Sequence, residues 1–473
     1  MAETHLSTVV LVGDRAYKVL KPVAFDFVDL STLEARWAAC EREVALNSRI
    51  APDVYRGVAT YRGPNSERAE PVIVMERMPA ERSLERLARE GADVGECVHD
   101  IARTLAAFHA GADRSPGVVA HGRPEAVRAA WVGNVTELKH LLGSLDSEML
   151  ITLDETDALG RRYLAGREAL LERRIADGAV CDGHGDLLAA DIYCLESGPE
   201  ILDCLAFRDD FRAADVVCDV AFLTMDLERL GRPDLAHRLL DDYREFSGDT
   251  SPASLTEYYV SFRALIRSKV AVLRALAGDE SAAREGHDLL NAAREHARRA
   301  TVRLVLVGGL PGTGKSTLAA GLADDTGFVL LRSDVVRREL ARELSPRYDD
   351  ASKDAVYDEI LDRASTLLAH GENVIVDASW TAERYRRQAE TVGMNAKADV
   401  LAIRTDLDQE EAAERIGARM ATGADESQAT PQIAARLAHD ADPWPEAHVL
   451  DTSGSRDDTR RSARTIIGSV PDV

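Results

Sequence analysis

The most specific chemical signal in the sequence is the run GLPGTGKST, which fits the pattern G-x-x-x-x-G-K-[ST] between a strand-like and a helix-like segment. Glycines in such a run let backbone N–H groups turn inward around phosphates, and the helix N-terminus adds a favourable dipole. A lysine there neutralises β- and γ-phosphate oxygens, and the following hydroxyl can ligate Mg²⁺. The predicted nucleotide-binding residues are Gly309, Leu310, Pro311, Gly312, Thr313, Gly314, Lys315, Ser316 and Thr317.

Three charged residues downstream could complete this site. Asp377 ends the apolar segment NVIVD, where a carboxylate can hold Mg²⁺ directly or through water, although an Asp also commonly begins a structural loop. In LLRSDVVRREL, a helix starting at Ser333 would place Asp334 and Arg337 on one face. Either these two residues contribute to catalysis, or they form an ordinary pair at a helix start.

Together with RIGARMATG, these segments resemble small P-loop kinases of the polynucleotide kinase, gluconate kinase and zeta toxin type, over about residues 302–470. The resemblance implies that Asp334, with Arg337, orients or deprotonates an acceptor hydroxyl. It also implies that two lid arginines, Arg415 and Arg419, bind the transferred phosphoryl group. Lys315 is then a catalytic residue as well as a phosphate ligand, and Ser316 and Asp377 are the magnesium ligands.

A second group of polar residues lies in the first half of the chain. The segment HGDLLAADIY, residues 184–193, is followed by Asp203 after a predicted strand pair. Earlier, Lys18 lies in the strand-like RAYKVL, and Glu43 lies in the helix that follows. This order of residues resembles aminoglycoside phosphotransferases and related protein-kinase-like enzymes over about residues 7–280.

The resemblance assigns a role to each of these side chains. Asp186 accepts the proton of the substrate hydroxyl, and Asp191 and Asp203 are the metal ligands that bring Mg²⁺ to the nucleotide. Lys18 binds the ATP phosphates, with Glu43 as its ion-pair partner. All five are therefore predicted site residues of an ATP- and Mg²⁺-dependent enzyme.

Two features depart from that family. Asp191 replaces the usual Asn, which keeps an oxygen ligand but adds a like charge near Asp186 that bound metal would offset. No G-x-G-x-x-G precedes Lys18, so the loop that covers the phosphates is shortened or missing. Three interpretations of the N-terminal half therefore stay open: a working phosphotransferase, a non-catalytic binding module, or an accidental likeness to that family. Asp219 matches an Asp that braces the catalytic loop, and His184 is interpreted as a brace and not a base.

The pattern of predicted strands and helices changes near residue 300. Strand signals, long helical stretches and a second set of short strands precede this point, and apolar strands alternate with helices after it, as in a parallel sheet wrapped by helices. We therefore predict a kinase-like α+β domain over residues 1–295 and an α/β P-loop domain over 300–473. The chain thus resembles bacterial fusions of an aminoglycoside-phosphotransferase-like domain with an ATP-binding P-loop domain.

Composition restricts the partners. With 45% hydrophobic and 29% charged residues and no long apolar run, the chain predicts neither a membrane span nor an anchor. The net charge of −23 disfavours duplex nucleic acid, whose affinity depends on Lys and Arg. The N-terminus lacks a secretory pattern, so we expect a cytoplasmic protein. Without C-x-x-C spacing, reduced thiols are expected at all six cysteines: Cys40, Cys97, Cys181, Cys194, Cys204 and Cys218.

Both halves point to the same reaction class, which is transfer of a phosphoryl group from ATP, with Mg²⁺, to a hydroxyl of a small molecule. The alternative is a P-loop ATPase or kinase whose N-terminal domain senses a ligand without turning it over. The acceptor and the oligomeric state are open at this point, because one fold serves many acceptors.

Overall fold

The computed structural model describes residues 2–3, 6–25, 28–62, 69–143, 146–343, 350–422 and 431–468. The chain divides into two compact units. Unit 1 comprises Met1–Leu150, Leu171–Ser251 and Tyr259–Ala293, and unit 2 comprises Ile151–Leu170, Pro252–Tyr258 and Arg294–Val473. Unit 2 thus includes two segments from before the predicted boundary. The ranges 1–295 and 300–473 stay a prediction about domains that fold on their own.

Unit 1 contains a five-stranded antiparallel sheet in the order β1-β2-β3-β7-β6, and three two-stranded sheets, β4-β5, β8-β11 and β9-β10. The strands, in chain order, are β1 (Ala2–Glu3), β2 (Ser7–Val12), β3 (Arg15–Leu20), β4 (Ala24–Phe25), β5 (Val28–Asp29), β6 (Tyr55–Arg62), β7 (Ala69–Glu76), β8 (Val180–Asp182), β9 (Ile192–Leu195), β10 (Gly198–Ile201) and β11 (Ala213–Asp215).

Helices make up most of the rest of the first 300 residues. In chain order they are α1 (Leu33–Asn47), α2 (Leu84–Arg89), α3 (Gly95–Gly111), α4 (Pro116–Val119), α5 (Pro124–Leu142), α6 (Ser147–Ala165), α7 (Glu168–Ala176), α8 (Val216–Arg229), α9 (Pro233–Ser247), α10 (Ala253–Leu276) and α11 (Glu280–Arg299). The N-terminal half is therefore a mixed structure of sheet and helix, as predicted.

Helix α1 packs on the five-stranded sheet with a face that is largely polar. The Thr32 hydroxyl accepts from Ala35 N–H and begins the helix. Arg36, Cys40, Glu43 and Asn47 then recur at a helical spacing and are all buried. Only Cys40 lies within the apolar core. Buried polar groups are costly unless they are paired, so this face must meet specific partners.

The prediction of six reduced thiols is wrong for two of them. Cys97 in α3 and Cys194 in β9 form a disulfide, and Cys40, Cys181, Cys204 and Cys218 are free and buried. The two half-cystines are 97 residues apart in sequence, and their Cα atoms are 5.8 Å apart. Packing of α3 against the β9-β10 hairpin creates this proximity, which no local pattern signals.

Unit 2 contains a parallel five-stranded sheet in the order β13-β14-β12-β15-β16, with helices around it. The predicted α/β fold of the C-terminal half is confirmed. Its strands are β12 (Arg303–Gly308), β13 (Val329–Arg332), β14 (Val374–Asp377), β15 (Asp399–Asp406) and β16 (His448–Asp451). Its helices are α12 (Lys315–Thr326), α13 (Ser333–Glu343), α14 (Asp350–Ala369), α15 (Glu383–Asn395), α16 (Gln409–Thr422), α17 (Pro431–His439) and α18 (Arg456–Ile467).

Arg167, between α6 and α7, is packed inside unit 2. Its side chain is 1% exposed and donates to the carbonyls of Leu368 and Ala396. These carbonyls lie at the C-terminal ends of α14 and α15, where a cation is favourable. Burial lowers the pKa of Arg167 to about 10. This segment from the first half of the sequence is therefore part of the structure of the C-terminal unit.

We expect Arg167→Leu to destabilise unit 2, because it leaves the buried Ala396 carbonyl without a donor, at about 1–3 kcal/mol. The Leu368 carbonyl loses one of two donors and keeps the N–H of Gly371. Guanidinium denaturation of the full chain measures this loss. Arg161→Leu is the control, since Arg161 is half-exposed and makes an ion pair with Asp157 within one helix. Equal free energies of unfolding of the two variants would show that Arg167 does not stabilise unit 2 through these hydrogen bonds.

Within the described residues, no helix is both long and apolar enough to cross a bilayer.

Candidate functional site

The glycine-rich run forms a loop from the end of β12 to the first residue of α12, Lys315. Gly309 and Gly312 have φ angles of 145° and 90°, which side chains rarely adopt. A Cβ on Gly309 would lie 2.3 Å from Thr405 Oγ1, and one on Gly312 would lie 2.5 Å from the Ala412 carbonyl. The glycines therefore allow a compact loop at the start of a helix, which is the geometry that binds phosphates.

Asp377 lies next to this loop. Its strand, β14, pairs with β12 in parallel register, Val307 opposite Asp377, so both carboxyl ends meet at one edge of the sheet. Burial raises the pKa of Asp377, while the charge of Lys315 opposes the rise. The Ser316 side chain lies near enough to Asp377 to lower the pKa of its carboxyl group. The structure thus brings together Lys315, Ser316 and Asp377.

A buried oxygen of Asp377 makes this place suitable for Mg²⁺. Asp377 Oδ1 has no hydrogen-bond partner within the described residues, although the side chain is almost completely buried. A hard cation bound by this oxygen and by the Ser316 hydroxyl would satisfy it. The donor set of the site therefore fits magnesium.

Asp334 and Arg337 share one face of α13, as their spacing predicted. Arg337 Nη1 lies 2.9 Å from Asp334 Oδ1. The Asp334 charge also raises the pKa of Asp377, so the two carboxylates are near each other. This position near Asp377 fits an acceptor-binding role, which stays a prediction.

Of the two predicted lid arginines, Arg415 and Arg419, the structure describes the side chain of the first. Arg415 donates to the Thr452 carbonyl at 3.0 Å. The Thr452 hydroxyl in turn donates at 2.7 Å to the carbonyl of Thr313 in the glycine-rich loop of residues 309–314, called the phosphate loop below. A Cβ on Gly314 would lie 3.9 Å from Arg415 Nη1. Arg415 is therefore held beside the loop. The side chain of Arg419 lies outside the described residues.

In unit 1, Lys18 connects two carboxylates that are distant in sequence. Its Nζ lies 2.7 Å from Glu43 Oε1 and 2.9 Å from Asp203 Oδ1. Burial opposes the charge of Lys18, but the two carboxylates outweigh this effect and hold the pKa of Lys18 well above its usual value. The three predicted residues are thus brought together as one charged group.

Asp203 is held in an uncommon backbone conformation. Its φ angle is 63°, in the left-handed region that residues with a side chain rarely adopt. The charge of Lys18 lowers the pKa of Asp203, whose side chain is half-exposed and available to a ligand. Strained backbone of this kind is found where a site over-determines it.

Asp186 and Asp191 lie near Asp203. Burial raises the pKa of Asp186 to about 6, and burial together with the charges of Asp203 and Asp186 raises the pKa of Asp191 well above the usual value. No group of three metal-binding side chains is formed by the residues the structure describes. Proteins usually bind Mg²⁺ through one or two carboxylates together with water or phosphate oxygens.

Asp191→Asn should stabilise the chain at pH 8 in EDTA. The folded state holds the Asp191 proton more tightly than the unfolded state, so the stability from this group is lost as pH rises from about 4 through the raised pKa. Because Asn cannot ionise, the variant should melt a few degrees above wild type at pH 8, and this difference in Tm should shrink toward pH 4. Thermal melts at several pH values test this, with the exposed Asp241→Asn as control. If Asp191→Asn is less stable than wild type at pH 8, the charges of Asp186 and Asp203 do not destabilise an ionised Asp191.

Asp219 braces the loop before Asp186. Its carboxylate accepts the backbone N–H groups of His184 at 2.5 Å and Gly185 at 2.9 Å. Burial acts to raise the pKa of Asp219, but His109 and Arg263 hold it far below the usual range. His184 Nε2 contacts the Leu202 carbonyl at 3.1 Å, so this histidine fixes the loop to the segment before Asp203.

The residues that sequence reasoning missed lie on other helices. Arg263 in α10 is buried, pairs with Asp219, and donates to the Gly185 carbonyl at 3.3 Å. One turn later, Arg267 lowers the pKa of Asp186, opposing the effect of burial. Asn47 in α1 contacts the backbone of Cys204. Their spacing is typical of ordinary helices, and no local signal distinguishes them.

The C-terminal half of the chain matches a known protein family. Residues 304–442 match the model of a family described as AAA domain. The matched range includes most of the phosphate loop's strand, the loop itself, and both Asp334 and Asp377. The C-terminal half thus contains an AAA-type P-loop domain.

The whole chain has close relatives in mycobacteria. It is 40% identical over 466 residues to the uncharacterized protein Rv2004c of Mycobacterium tuberculosis, an alignment that covers 96% of this chain and 92% of that protein. The figures are the same for the uncharacterized protein Mb2027c of Mycobacterium bovis. The chain belongs to the family of these mycobacterial proteins.

Other similarities cover parts of the chain. A cytidylate kinase of Ignicoccus hospitalis is 32% identical over 125 residues, which is 24% of this chain and 73% of that protein. A putative kinase from Chloroflexus aurantiacus is 20% identical, covering 35% of this chain and 98% of its own, with a TM-score of 0.29. A choline kinase from Cryptosporidium parvum is 10% identical, covering 63% and 88%, with a TM-score of 0.43. The two structures are too distant to support a functional assignment.

Proposed function

We propose that the protein is an ATP- and Mg²⁺-dependent kinase that transfers a phosphoryl group to a hydroxyl of a small molecule, with one nucleotide site in each unit. The observation that carries this proposal is the parallel pairing of β12 with β14, which brings Asp377 to the phosphate-loop edge of the sheet, within the electrostatic reach of Lys315. The AAA domain match supports it. The net charge of −23 supports a small-molecule acceptor over duplex nucleic acid.

In unit 2, the phosphate loop binds the triphosphate and Lys315 neutralises its β and γ oxygens. Ser316 and Asp377 would hold Mg²⁺, which when bound neutralises charge on those oxygens. Asp334 takes the proton of the attacking hydroxyl, and Arg415 binds the transferred group. The similarity of part of the chain to a cytidylate kinase supports phosphoryl transfer as the reaction class. The name cytidylate kinase implies that the acceptor of that enzyme is a phosphate group, which needs no general base. A base such as Asp334 is instead useful when the acceptor is an alcohol.

In unit 1, the Lys18 bridge between Glu43 and Asp203 supports a second nucleotide site. Asp203 and Asp191 would hold Mg²⁺, and Lys18 binds phosphate oxygens. Asp186 accepts the proton of the substrate hydroxyl, and its pKa of about 6 suits a base that works near neutral pH. Phosphoryl transfer of this type depends on positioning and charge neutralisation, which these side chains supply.

A second candidate function is supported by the sheet of unit 1. Strand β1 ends at Glu3 and β2 begins at Ser7, so only residues 4, 5 and 6 join them. A connection this short provides little backbone to cover phosphates before Lys18. Unit 1 would then sense a ligand and regulate the P-loop unit without transferring phosphate itself.

A transfer screen with γ-labelled ATP and Mg²⁺ tests both functions. The full chain is incubated with sugars, aminoglycosides, nucleosides, cytidine monophosphate and oligonucleotides, as wild type, Lys315→Ala and Asp203→Asn. A product lost only in Lys315→Ala assigns transfer to unit 2, and one lost only in Asp203→Asn assigns it to unit 1. Products that all survive Asp203→Asn favour the regulatory function. Absence of any labelled product would contradict the kinase proposal.

A further inference from the structure

A buried asparagine connects helix α1 to the residue that follows Asp203. The Asn47 side chain has no solvent exposure, and its Oδ1 accepts the Cys204 N–H at 2.8 Å. Its Nδ2 donates to the Glu43 carbonyl at 2.9 Å and to the Cys204 carbonyl at 3.4 Å. Both polar ends of one amide are therefore used, and the N–H and C=O of Cys204 are both bound.

These contacts act on the conformation of Asp203. A φ of 63° is unfavourable for a residue with a side chain, so it persists only if its surroundings hold it. Asn47 fixes the backbone on the C-terminal side of Asp203. On the other side, the backbone N–H of Asp203 donates to the Tyr55 hydroxyl at 3.4 Å. Asp203 is thereby held with its carboxylate toward Lys18.

The position of Asn47 on α1 gives this contact a second consequence. Glu43 lies one helical turn earlier on the same buried face, and it is the other partner of Lys18. One face of one helix therefore determines both ends of the Lys18 bridge. A displacement of α1 would alter the Glu43 contact and the Asp203 backbone together.

We infer that Asn47 is a positioning residue, which holds the Cys204 backbone so that Asp203 faces Lys18 and the metal of a bound MgATP. The inference rests on the proposed function of unit 1. The simpler alternative is that Asn47 only satisfies two backbone groups of a buried loop, as any buried polar group must be satisfied. In that case its loss lowers stability without a specific effect on Mg²⁺.

The test uses the full chain with Lys315→Ala, so that the phosphate loop does not contribute. Calorimetry measures ATP binding at increasing Mg²⁺, and Asn47→Leu removes all three side-chain hydrogen bonds at similar volume. We expect the MgATP affinity to fall about 10–100-fold, the range for partners that orient a metal ligand, with little change in EDTA. Cys40→Ala, buried on the same helix, is the control that lowers stability without changing the Mg²⁺ dependence.

A double-mutant cycle with Asp203→Asn decides between the two roles. If Asn47 acts through Asp203, adding Asn47→Leu to Asp203→Asn costs almost no further affinity. Additive losses, or an unchanged affinity in Asn47→Leu alone, would overturn the inference while leaving the nucleotide site in place. If Asn47→Leu does not fold, Asn47→Ser is taken through the same cycle. A Lys315→Ala protein that binds no MgATP overturns the proposed function of unit 1 and the inference with it.

Discussion

Lys315→Ala should abolish nucleotide turnover by the P-loop unit while leaving the fold intact. The change removes the positive charge at the end of the phosphate loop, where it meets the β and γ oxygens of the nucleotide. Loss of one such electrostatic group costs about 10²–10³-fold in turnover. The measurement is ATP hydrolysis and transfer in a full chain that also carries Asp203→Asn, so that unit 1 does not mask the loss.

The full chain is needed because the segment Ile151–Leu170, which contains Arg167, belongs to unit 2. Lys397→Ala is the matched control, because Lys397 is exposed and lies just before β15, at the opposite end of the strands from the phosphate loop. Circular dichroism checks that both variants are folded. A turnover that Lys315→Ala leaves unchanged would show that the loop has no catalytic function.

The second large effect is expected in unit 1, where Asp186→Asn and Asp203→Asn should fail in different ways. Asp186→Asn keeps the size of the side chain but removes the proton acceptor. Phosphoryl transfer should fall about 10²–10⁴-fold with MgATP affinity nearly preserved. Asp203→Asn weakens the metal contact and the bond to Lys18, so affinity should fall as well, and extra Mg²⁺ should partly restore it.

Both variants are measured in the Lys315→Ala background, with Asp241→Asn as a control for removal of an exposed carboxylate. Transfer and MgATP binding are determined separately for each protein. Parallel losses of transfer and binding in Asp186→Asn would make it a structural residue and not a base. Unaltered MgATP binding in Asp203→Asn, with no transfer to any acceptor, would favour the ligand-sensing function of unit 1.

The sequence alone determined the features that depend on contiguous residues. The phosphate loop follows from the spacing of glycines, a lysine and a serine within one turn, because these residues must be neighbours to surround a phosphate. Asp377 followed from a strand that ends in a carboxylate, since parallel strands bring their carboxyl ends to one edge. The shared face of Asp334 and Arg337 followed from helical periodicity.

Tertiary structure alone decided the contacts of residues that belong to no local sequence motif. Asn47 is one polar residue in a helix until the loop after Asp203, 157 positions away, packs against it. Arg167 is one of many arginines until two helix ends of the P-loop unit bury it. Cys97 and Cys194 pair only because α3 packs against the β9-β10 hairpin. Local propensity and periodicity act over a few residues, whereas these contacts depend on how distant elements pack, so no spacing in the sequence records them.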